Sequence, residues 1–373
     1  MRVKVVAALT LALTLVAALT VAIGAASAGS AKAKPKTPAQ LQKEAKAIVA
    51  EFTAPMTKLY LPPLKKRPAQ GKYIITLAGN APASLTIHNG ARAAGAGLGW
   101  KVETIQYANG SAPGLQQAME TAIGKNPDGI YLNSLPSTAY PQQLAEAKSK
   151  GIPVVVSNNV DPVGNGIMAN VSGAPSVQKQ GQLVADWIYA KLGTKAAVGV
   201  INIRDFPSLV VWEDAVVKEL KRLCPKCPRY SVAVHSSDIG TNIPSTVVAT
   251  VQRNPKINYL AFGFGDMATG VRTALDTAGF KNVKIGGIAA SLPNVQAIIN
   301  GTEDAWITAP LVVIGWKAID AFARYFNKED VKVATTATPP LRILFRGNTG
   351  VEASIPEVID YQSKFLALWK VRK

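Results

Sequence analysis

The stretch Ser149-Lys-Gly-Ile-Pro-Val-Val-Val-Ser-Asn-Asn159 combines a helix end, a turn, a short strand and two amide side chains. Gly151 follows a segment rich in Ala, Lys and Glu, and glycine is the usual residue where a helix stops in the left-handed conformation. The β-branched run at 152–156 is typical of a strand that is covered on both faces. Because open α/β sheets bind ligands at the carboxyl ends of their strands, we expect Asn158 and Asn159 at a binding site.

Strand and helix patterns alternate along most of the chain. Strands are predicted at 73–78, 101–107, 129–133, 152–156, 197–203, 231–235, 259–264, 284–288, 305–308 and 341–345. Helices are predicted at 40–52, 85–98, 113–123, 140–150, 176–191, 210–223, 246–252, 268–278, 294–299, 315–326 and 360–369. A Gly- and Asn-rich stretch at 161–173, predicted to be irregular, divides the pattern. The sequence therefore predicts two doubly wound α/β units in series, with a ligand site in the cleft between them.

The N-terminus has the pattern of an export signal. Arg2 and Lys4 precede an apolar run at 5–23, and Ala26-Ser27-Ala28 matches a small-residue cleavage site. We predict a signal peptide at 1–28 and an extracytoplasmic protein of the cell envelope or periplasm. The apolar run is long enough to leave an uncleaved membrane tether open, because a membrane span needs about 20 apolar residues.

Charge is strongly positive and is concentrated after the signal. The chain has 41 Lys and Arg against 23 Asp and Glu, a formal net charge of +18. Within the Pro- and Lys-rich extension at 29–71, only Glu44 and Glu51 oppose the basic residues. Nucleic acid is the first partner that such a charge suggests, but export argues against it. We interpret the extension as a solvated tether near anionic envelope polymers or lipid, with specific polyanion binding as the alternative.

Chemistry-bearing motifs are few. Cys224-Pro-Lys-Cys227 follows a predicted helix on an exported chain, which favours a local disulfide over thiol exchange. Zinc is disfavoured because His88 and His235 are the only histidines and lie far apart. A nucleophile elbow is absent, and the glycines at 95–99 stand at a helix end, where they would not cradle phosphate. We therefore expect neither an enzyme nor a cofactor or metal.

Several short landmarks in a fixed order carry a resemblance to a known family. They are Ala81-Pro-Ala-Ser84, Gly90-Ala91, Leu98-Gly-Trp100, Asn126-Pro-Asp-Gly-Ile130, Gly151-Ile-Pro-Val-Val155, Gly265-Asp-Met-Ala-Thr-Gly270, Val283-Lys-Ile-Gly-Gly287 and Gly315-Trp-Lys-Ala318. With them the chain resembles the type I periplasmic binding proteins, in particular the ribose/galactose-type receptors of ABC importers, and its basic extension resembles that of actinobacterial members. The resemblance implies a monomer that traps a small-molecule ligand and presents it to a membrane permease.

The same resemblance implies a fold and its boundaries. Two Rossmann-like doubly wound lobes are joined by a three-strand hinge, with 72–175 plus 311–338 in the first lobe and 176–310 plus 339–373 in the second. The lobes close on the ligand. The export signal argues against one alternative, the effector domain of a repressor. A second alternative, a receptor for a chemosensory or kinase partner, stays open.

Binding residues are expected from the family's sugar-binding pattern and from this chain's departures from it. Asn133 matches a ligand Asn. Elsewhere, uncharged or aromatic residues stand at or near the family's ligand positions: Ala83, Ser84, Asn158, Asn159, Phe206, Trp212 and Phe264, with Asp266 one place beyond an Asn-Asp position. This loss of charge predicts a less hydroxylated cyclic or aromatic ligand, with a sugar-like ligand still open. Each residue also has a structural alternative, as a turn former, a helix cap or part of the core.

Overall fold

The computed structural model describes residues 35–371, so the signal peptide predicted at 1–28 lies outside the described residues. The helices are α1 (Pro38–Glu51), α2 (Pro82–Leu98), α3 (Ala112–Gly124), α4 (Pro141–Ser149), α5 (Ala174–Leu192), α6 (Pro207–Leu223), α7 (Ile243–Arg253), α8 (Val271–Thr277), α9 (Leu292–Asn300), α10 (Leu311–Phe326), α11 (Lys332–Thr336) and α12 (Tyr361–Leu368). The strands are β1 (Tyr73–Gly79), β2 (Lys101–Tyr107), β3 (Gly129–Asn133), β4 (Val154–Ser157), β5 (Ile167–Asn170), β6 (Val198–Ile203), β7 (Arg229–Val234), β8 (Tyr259–Phe262), β9 (Lys284–Ile288), β10 (Ala305–Thr308) and β11 (Arg342–Phe345).

Two sheets form the centres of two lobes. The first has the order β2-β1-β3-β4-β5 and is parallel throughout. The second has the order β11-β10-β9-β8-β6-β7 and is parallel except for β11, which pairs with β10 in the antiparallel sense. Adjacent strand residues such as Ile74 and Ile75 are fully buried in different hydrophobic clusters, as expected where helices cover both faces of a sheet. The predicted fold of two doubly wound α/β lobes is confirmed.

Three connections join the lobes in the way that the resemblance implied. They run from β5 to α5, from β10 to α10 and from α11 to β11. The stretch at 161–173, which we expected to be irregular, contains β5. This strand has only four residues and follows Gly164 and Gly166, both with positive φ, so its apolar signal is too short to stand out.

The basic extension differs from the solvated tether that we expected. Residues 52–71, which we call the strap, bury the side chains of Met56, Leu59, Leu61 and Leu64. The backbone of the strap also accepts hydrogen bonds from the body of the protein, with Phe52 O bonded to Ile343 N at 2.7 Å. These buried residues are spaced by two or three positions among Pro and Lys. Because this spacing matches neither helical nor strand periodicity, the sequence pattern does not predict their burial.

The C-terminal helix also differs from expectation. We expected all of 339–373 in the second lobe, yet α12 lies against α10 of the first lobe. The Trp369 indole stacks on that of Trp316 with ring centres 5.4 Å apart, and its Nε1 donates to Asp320 at 2.9 Å. The strap runs beside this segment, since Leu64 N donates to Leu368 O. Besides the three hinge connections, the chain therefore crosses between the lobes two more times, once in the strap and once before α12.

Two further features bear on the predictions. Cys224 and Cys227 are joined in a disulfide directly after α6. Within residues 35–371, none of the helices combines the length and apolar character that a membrane crossing needs.

Candidate ligand-binding site

A cavity of about 110 Å³ lies between the lobes, where the carboxyl ends of both sets of parallel strands meet. The first lobe contributes residues that follow β1, β2, β3 and β4, together with α10. The second contributes residues that follow β6, β8 and β9, together with α5. Its lining is Ala81, Ala83, Ser84, Ile87, Asn109, Asn133, Ser134, Asn158, Val177, Gln180, Phe206, Ser208, Leu209, Gly263, Phe264, Ile288, Ala289, Ala309, Leu311 and Ile314. The described lining contains no charged side chain.

The chain turns sharply at three strand ends that border the cavity. Ser134, Asn158 and Ala289 have φ values of +74°, +48° and +51°, in the left-handed region that residues other than glycine seldom adopt. Ser134 is held there by a bond from its N–H to Ser157 O at 3.0 Å. A residue in this conformation costs free energy and persists only where the surrounding structure holds it in place. Such residues are found most often at ligand and active sites.

Asn133 is a buried polar residue on the first-lobe side of the cavity. Its Oδ1 lies 3.0 Å from Ser84 Oγ and 3.0 Å from His88 Nε2, both on α2. His88 is fully buried, and burial lowers its pKa to about 4 while the Asn133 bond opposes that shift. His88 is therefore neutral at neutral pH. Sequence reasoning did not assign His88 to the site, although its position one turn after Ser84 on a predicted helix was a usable signal.

Phe206 and Phe264 form the aromatic part of the second-lobe side. Phe206 precedes Pro207, the first residue of α6, and Phe264 follows β8 by two residues. The lobes also touch beside the cavity, because a Cβ placed on Gly110 would lie 2.7 Å from Ser236 Oγ and 3.5 Å from the Phe206 ring. A first-lobe loop therefore lies close to the second lobe beside the lining residues Asn109 and Phe206.

The structure brings six of the predicted site residues together at the cavity. They are Ala83, Ser84, Asn133, Asn158, Phe206 and Phe264. Asn109, Ser134, Gln180 and Ser208 also line it and were missed. Asn109, Ser134 and Ser208 follow predicted strands within a few residues, so the same carboxyl-edge rule would have found them.

Asn159 is placed away from the cavity. Its Nδ2 donates to Leu135 O at 2.7 Å, and its Oδ1 accepts from Asp161 N at 2.6 Å. Both ends of the amide are thus used inside the first lobe. The structure gives Asn159 the turn-forming role that was its structural alternative.

Trp212 and Asp266 also lie outside the cavity lining. Trp212 is fully buried in α6, which begins at Pro207 and presents Ser208 and Leu209 to the cavity one turn earlier. Asp266 lies in a short 3₁₀ turn after Phe264, and burial raises the pKa of its carboxyl group. Trp212 lies about one helical turn beyond the residues of α6 that line the cavity, and Asp266 lies two residues beyond Phe264.

Comparisons with known proteins agree with this geometry. The family profile described as "Periplasmic binding protein domain" matches residues 63–330. GanP, a glucose-galactose binding protein from Geobacillus stearothermophilus, has a similar fold, with a TM-score of 0.67 and 16% identity over 75% of this chain and 99% of its own. A carbohydrate transporter from Acidothermus cellulolyticus in complex with myo-inositol has a TM-score of 0.63 and 19% identity, covering 81% and 100% of the two chains.

A third solved structure extends the comparison. The solute-binding protein of an ABC transporter from Agrobacterium vitis, with bound allitol, has a TM-score of 0.65 and 20% identity over 74% of this chain and 96% of its own. A search among curated proteins finds no match. At these identities the solved structures establish the fold.

Proposed function

Since the chain belongs to the periplasmic binding protein domain family, whose profile matches residues 63–330, we propose that it is the exported solute-binding protein of an ABC-type importer. A small organic molecule binds between the lobes and favours their closure, because it contacts both. The closed protein then presents its outer faces to a membrane permease. The proposal includes a monomer that acts without a catalytic step, cofactor or metal.

The observation that carries the choice of ligand is the lining of the cavity. Its described residues are uncharged, and those of the second lobe are mostly apolar. Burying an ionised ligand there would leave its charge unpaired, which is strongly unfavourable. A polyol would need partners for every hydroxyl group, while Phe206, Leu209 and Phe264 offer none through their side chains. The ligand is therefore a neutral, compact, cyclic molecule with fewer hydroxyl groups than a simple sugar.

The volume of the cavity supports a ligand of about one ring. An apolar cavity of about 150 Å³ is known to hold benzene, and this one measures about 110 Å³. The similar structures with glucose-galactose, allitol and myo-inositol in their names suggest the competing candidates, which are neutral polyols.

Mass spectrometry of the small molecule released on denaturing the purified protein tests the ligand class. Calorimetric titrations also test the ligand class. They compare the affinities for ribose, galactose, glucose, myo-inositol and allitol with those for aromatic and cyclic compounds that carry one or two polar groups. We expect the second group to bind more tightly. Submicromolar binding of ribose or galactose would refute the ligand class and leave the solute-binding role standing.

A second candidate function concerns the partner rather than the ligand. One solved structure of this fold, at 18% identity and a TM-score of 0.64, is the XylFII–LytSN complex. A receptor that presents its bound solute to a chemosensory or kinase partner is therefore the alternative to delivery to a permease. Binding of the ligand-loaded protein, and not of the unloaded protein, to an ABC permease from the same cells would favour import.

A further inference from the structure

The side-chain amide of Asn133 is held by two residues of one helix turn. Its Oδ1 accepts from Ser84 Oγ at 3.0 Å and lies 3.0 Å from His88 Nε2. The Asn133 residue is only 3% exposed, yet it lines the cavity. An amide oxygen has two lone pairs, so two donors occupy it fully.

The orientation of the amide depends on which His88 nitrogen carries the proton. His88 is enclosed, with its ring 4.8 Å from that of Tyr131, and its Nδ1 has no hydrogen-bond partner in the described chain. A proton on Nδ1 would be a buried donor without an acceptor, which costs about 1–3 kcal/mol. A proton on Nε2 instead points at the Asn133 side chain, so the group that it meets must be the amide oxygen.

The amide nitrogen is then left for the ligand. Across residues 35–371, Nδ2 of Asn133 makes no hydrogen bond, while the neighbouring oxygen makes two. We infer that Ser84 and His88 fix Asn133 as a donor toward the cavity, so the ligand must present a hydrogen-bond acceptor there. This inference rests on the proposed function and narrows it: the ligand is a ring that carries a carbonyl, an ether oxygen or an unprotonated ring nitrogen at its first-lobe end.

Ser84 and His88 are positioning residues in this arrangement. Tyr131 helps to keep the His88 ring in place, and its own hydroxyl group is paired with Ser157 Oγ at 2.6 Å. The two residues act on the ligand only through Asn133. If the amide were turned round, its oxygen would face the cavity, and the site would select donors instead.

The tautomer of His88 can be measured without any ligand. The chain has two histidines, and the side chain of His235 is 77% exposed, so a His235→Asn variant leaves His88 as the only histidine signal and keeps the fold. Long-range ¹⁵N–¹H spectra of the histidine-labelled variant distinguish a proton on Nε2 from one on Nδ1. We expect the Nε2-protonated, neutral form throughout pH 5–8, as the lowered pKa of about 4 implies. A proton on Nδ1 would overturn the inference.

Two neutral probe rings of the same size test this consequence. Cyclopentanone carries only an acceptor, and pyrrole carries only an N–H donor. We expect millimolar cyclopentanone, and not pyrrole, to shift the side-chain amide signals of Asn133, which are identified by their loss in Asn133→Asp. A preference for pyrrole would contradict the inference. Binding of neither probe would count against the proposed ligand class alone, because the His88 tautomer decides the orientation of the amide independently.

Discussion

The first lobe lines the cavity with the polar residues Ser84, Asn109, Asn133, Ser134 and Asn158 and with the apolar residues Ala81, Ala83, Ile87, Leu311 and Ile314, whereas the second lines it mainly with apolar residues, among them Phe206, Leu209, Phe264, Ile288 and Ala289. Both walls are built in the same way, from residues that follow parallel strands. Among the described lining residues of the second lobe, Ser208 of α6 and Gln180 of α5 have the only polar side chains. Both lobes thus offer apolar contact, while most of the polar side chains come from the first lobe.

This difference assigns separate tasks to the two walls. In the proposed function, directional hydrogen bonds from the first lobe would orient the ligand, because an unmatched buried polar group is unfavourable. The apolar wall of the second lobe would add favourable burial on closure, and burial is nearly independent of orientation. Specificity is therefore expected to depend mainly on the first lobe, and the gain in free energy on closure mainly on the second.

A charge placed in the apolar wall should have the largest effect. Phe264→Asp puts a carboxylate where the described lining has no cation to pair with it. Leaving a buried charge uncompensated costs about 3 kcal/mol or more, which corresponds to a loss of affinity of at least about 100-fold. Titration calorimetry with the tightest-binding compound of the panel measures it.

The matched control is Phe264→Leu, which keeps the wall apolar and should weaken binding by less than about tenfold. Small-angle scattering should show contraction on ligand addition for the wild type and for Phe264→Leu only. If Phe264→Asp bound as tightly as the wild type, the second lobe would not form an apolar wall around the ligand.

Removal of the Asn133 side chain should have the next largest effect. Asn133→Ala deletes the donor to the ligand and should weaken binding about tenfold, the equivalent of roughly 1.4 kcal/mol. It also leaves the Ser84 and His88 donors unpaired, so the free energy of unfolding should fall by about 1–3 kcal/mol. Calorimetry and urea unfolding measure the two effects.

Asn294→Ala is the matched control for Asn133→Ala. Asn294 is a buried amide of the second lobe that is bonded to Ser291 and Glu303, outside the cavity lining. The control should lose similar stability and keep its affinity. Equal losses of affinity in both variants would mean that Asn133 acts through stability and does not contact the ligand.

How much of this site the sequence predicts depends on the kind of signal. Asn133, Asn158 and Phe264 follow apolar runs that are recognisable as strands, and the carboxyl-edge rule then places them at the cavity. Trp212 was misplaced because α6 begins at Pro207, three residues before its predicted start, which moves the cavity-facing turn to Ser208 and Leu209. The strap was misread because Met56, Leu59, Leu61 and Leu64 have no regular period. Such details are set by tertiary packing, which no local pattern reports.

Asn158 and Asn159 follow β4 and allow a test in which affinity and stability should respond separately, with a smaller expected loss of affinity. Asn158 lines the cavity, while Asn159 is bonded to Leu135 and Asp161. Asn158→Gly suits the positive φ of this position and should weaken binding about threefold to tenfold with little change in stability. Asn159→Ala should do the reverse, lowering the free energy of unfolding by about 1–3 kcal/mol at nearly unchanged affinity. The opposite pattern would exchange the roles of the two amides.

Glu357, which binds the start of α10 beside the cavity, should have the smallest effect on ligand affinity and should act on stability in a way that depends on pH. Glu357 accepts from Val312 N at 2.9 Å and from Val313 N at 3.2 Å at the start of α10, next to the cavity residues Leu311 and Ile314. Burial raises the pKa of Glu357 from 4.5 to about 7, while the two backbone bonds oppose that shift.

Between these two pKa values the folded state binds more protons at Glu357 than the unfolded state does. The contribution of Glu357 to stability is therefore complete below pH 4.5 and is lost as the pH rises toward 7, with a slope of up to about 1.4 kcal/mol per pH unit. Glu357→Gln keeps an acceptor for the helix and cannot titrate. Urea unfolding at several pH values should show the wild type losing stability relative to the variant over this window, because other buried acids such as Glu303 are common to both proteins. Parallel stability curves would show that Glu357 keeps an ordinary pKa, and the start of α10 would then be insensitive to pH at this residue.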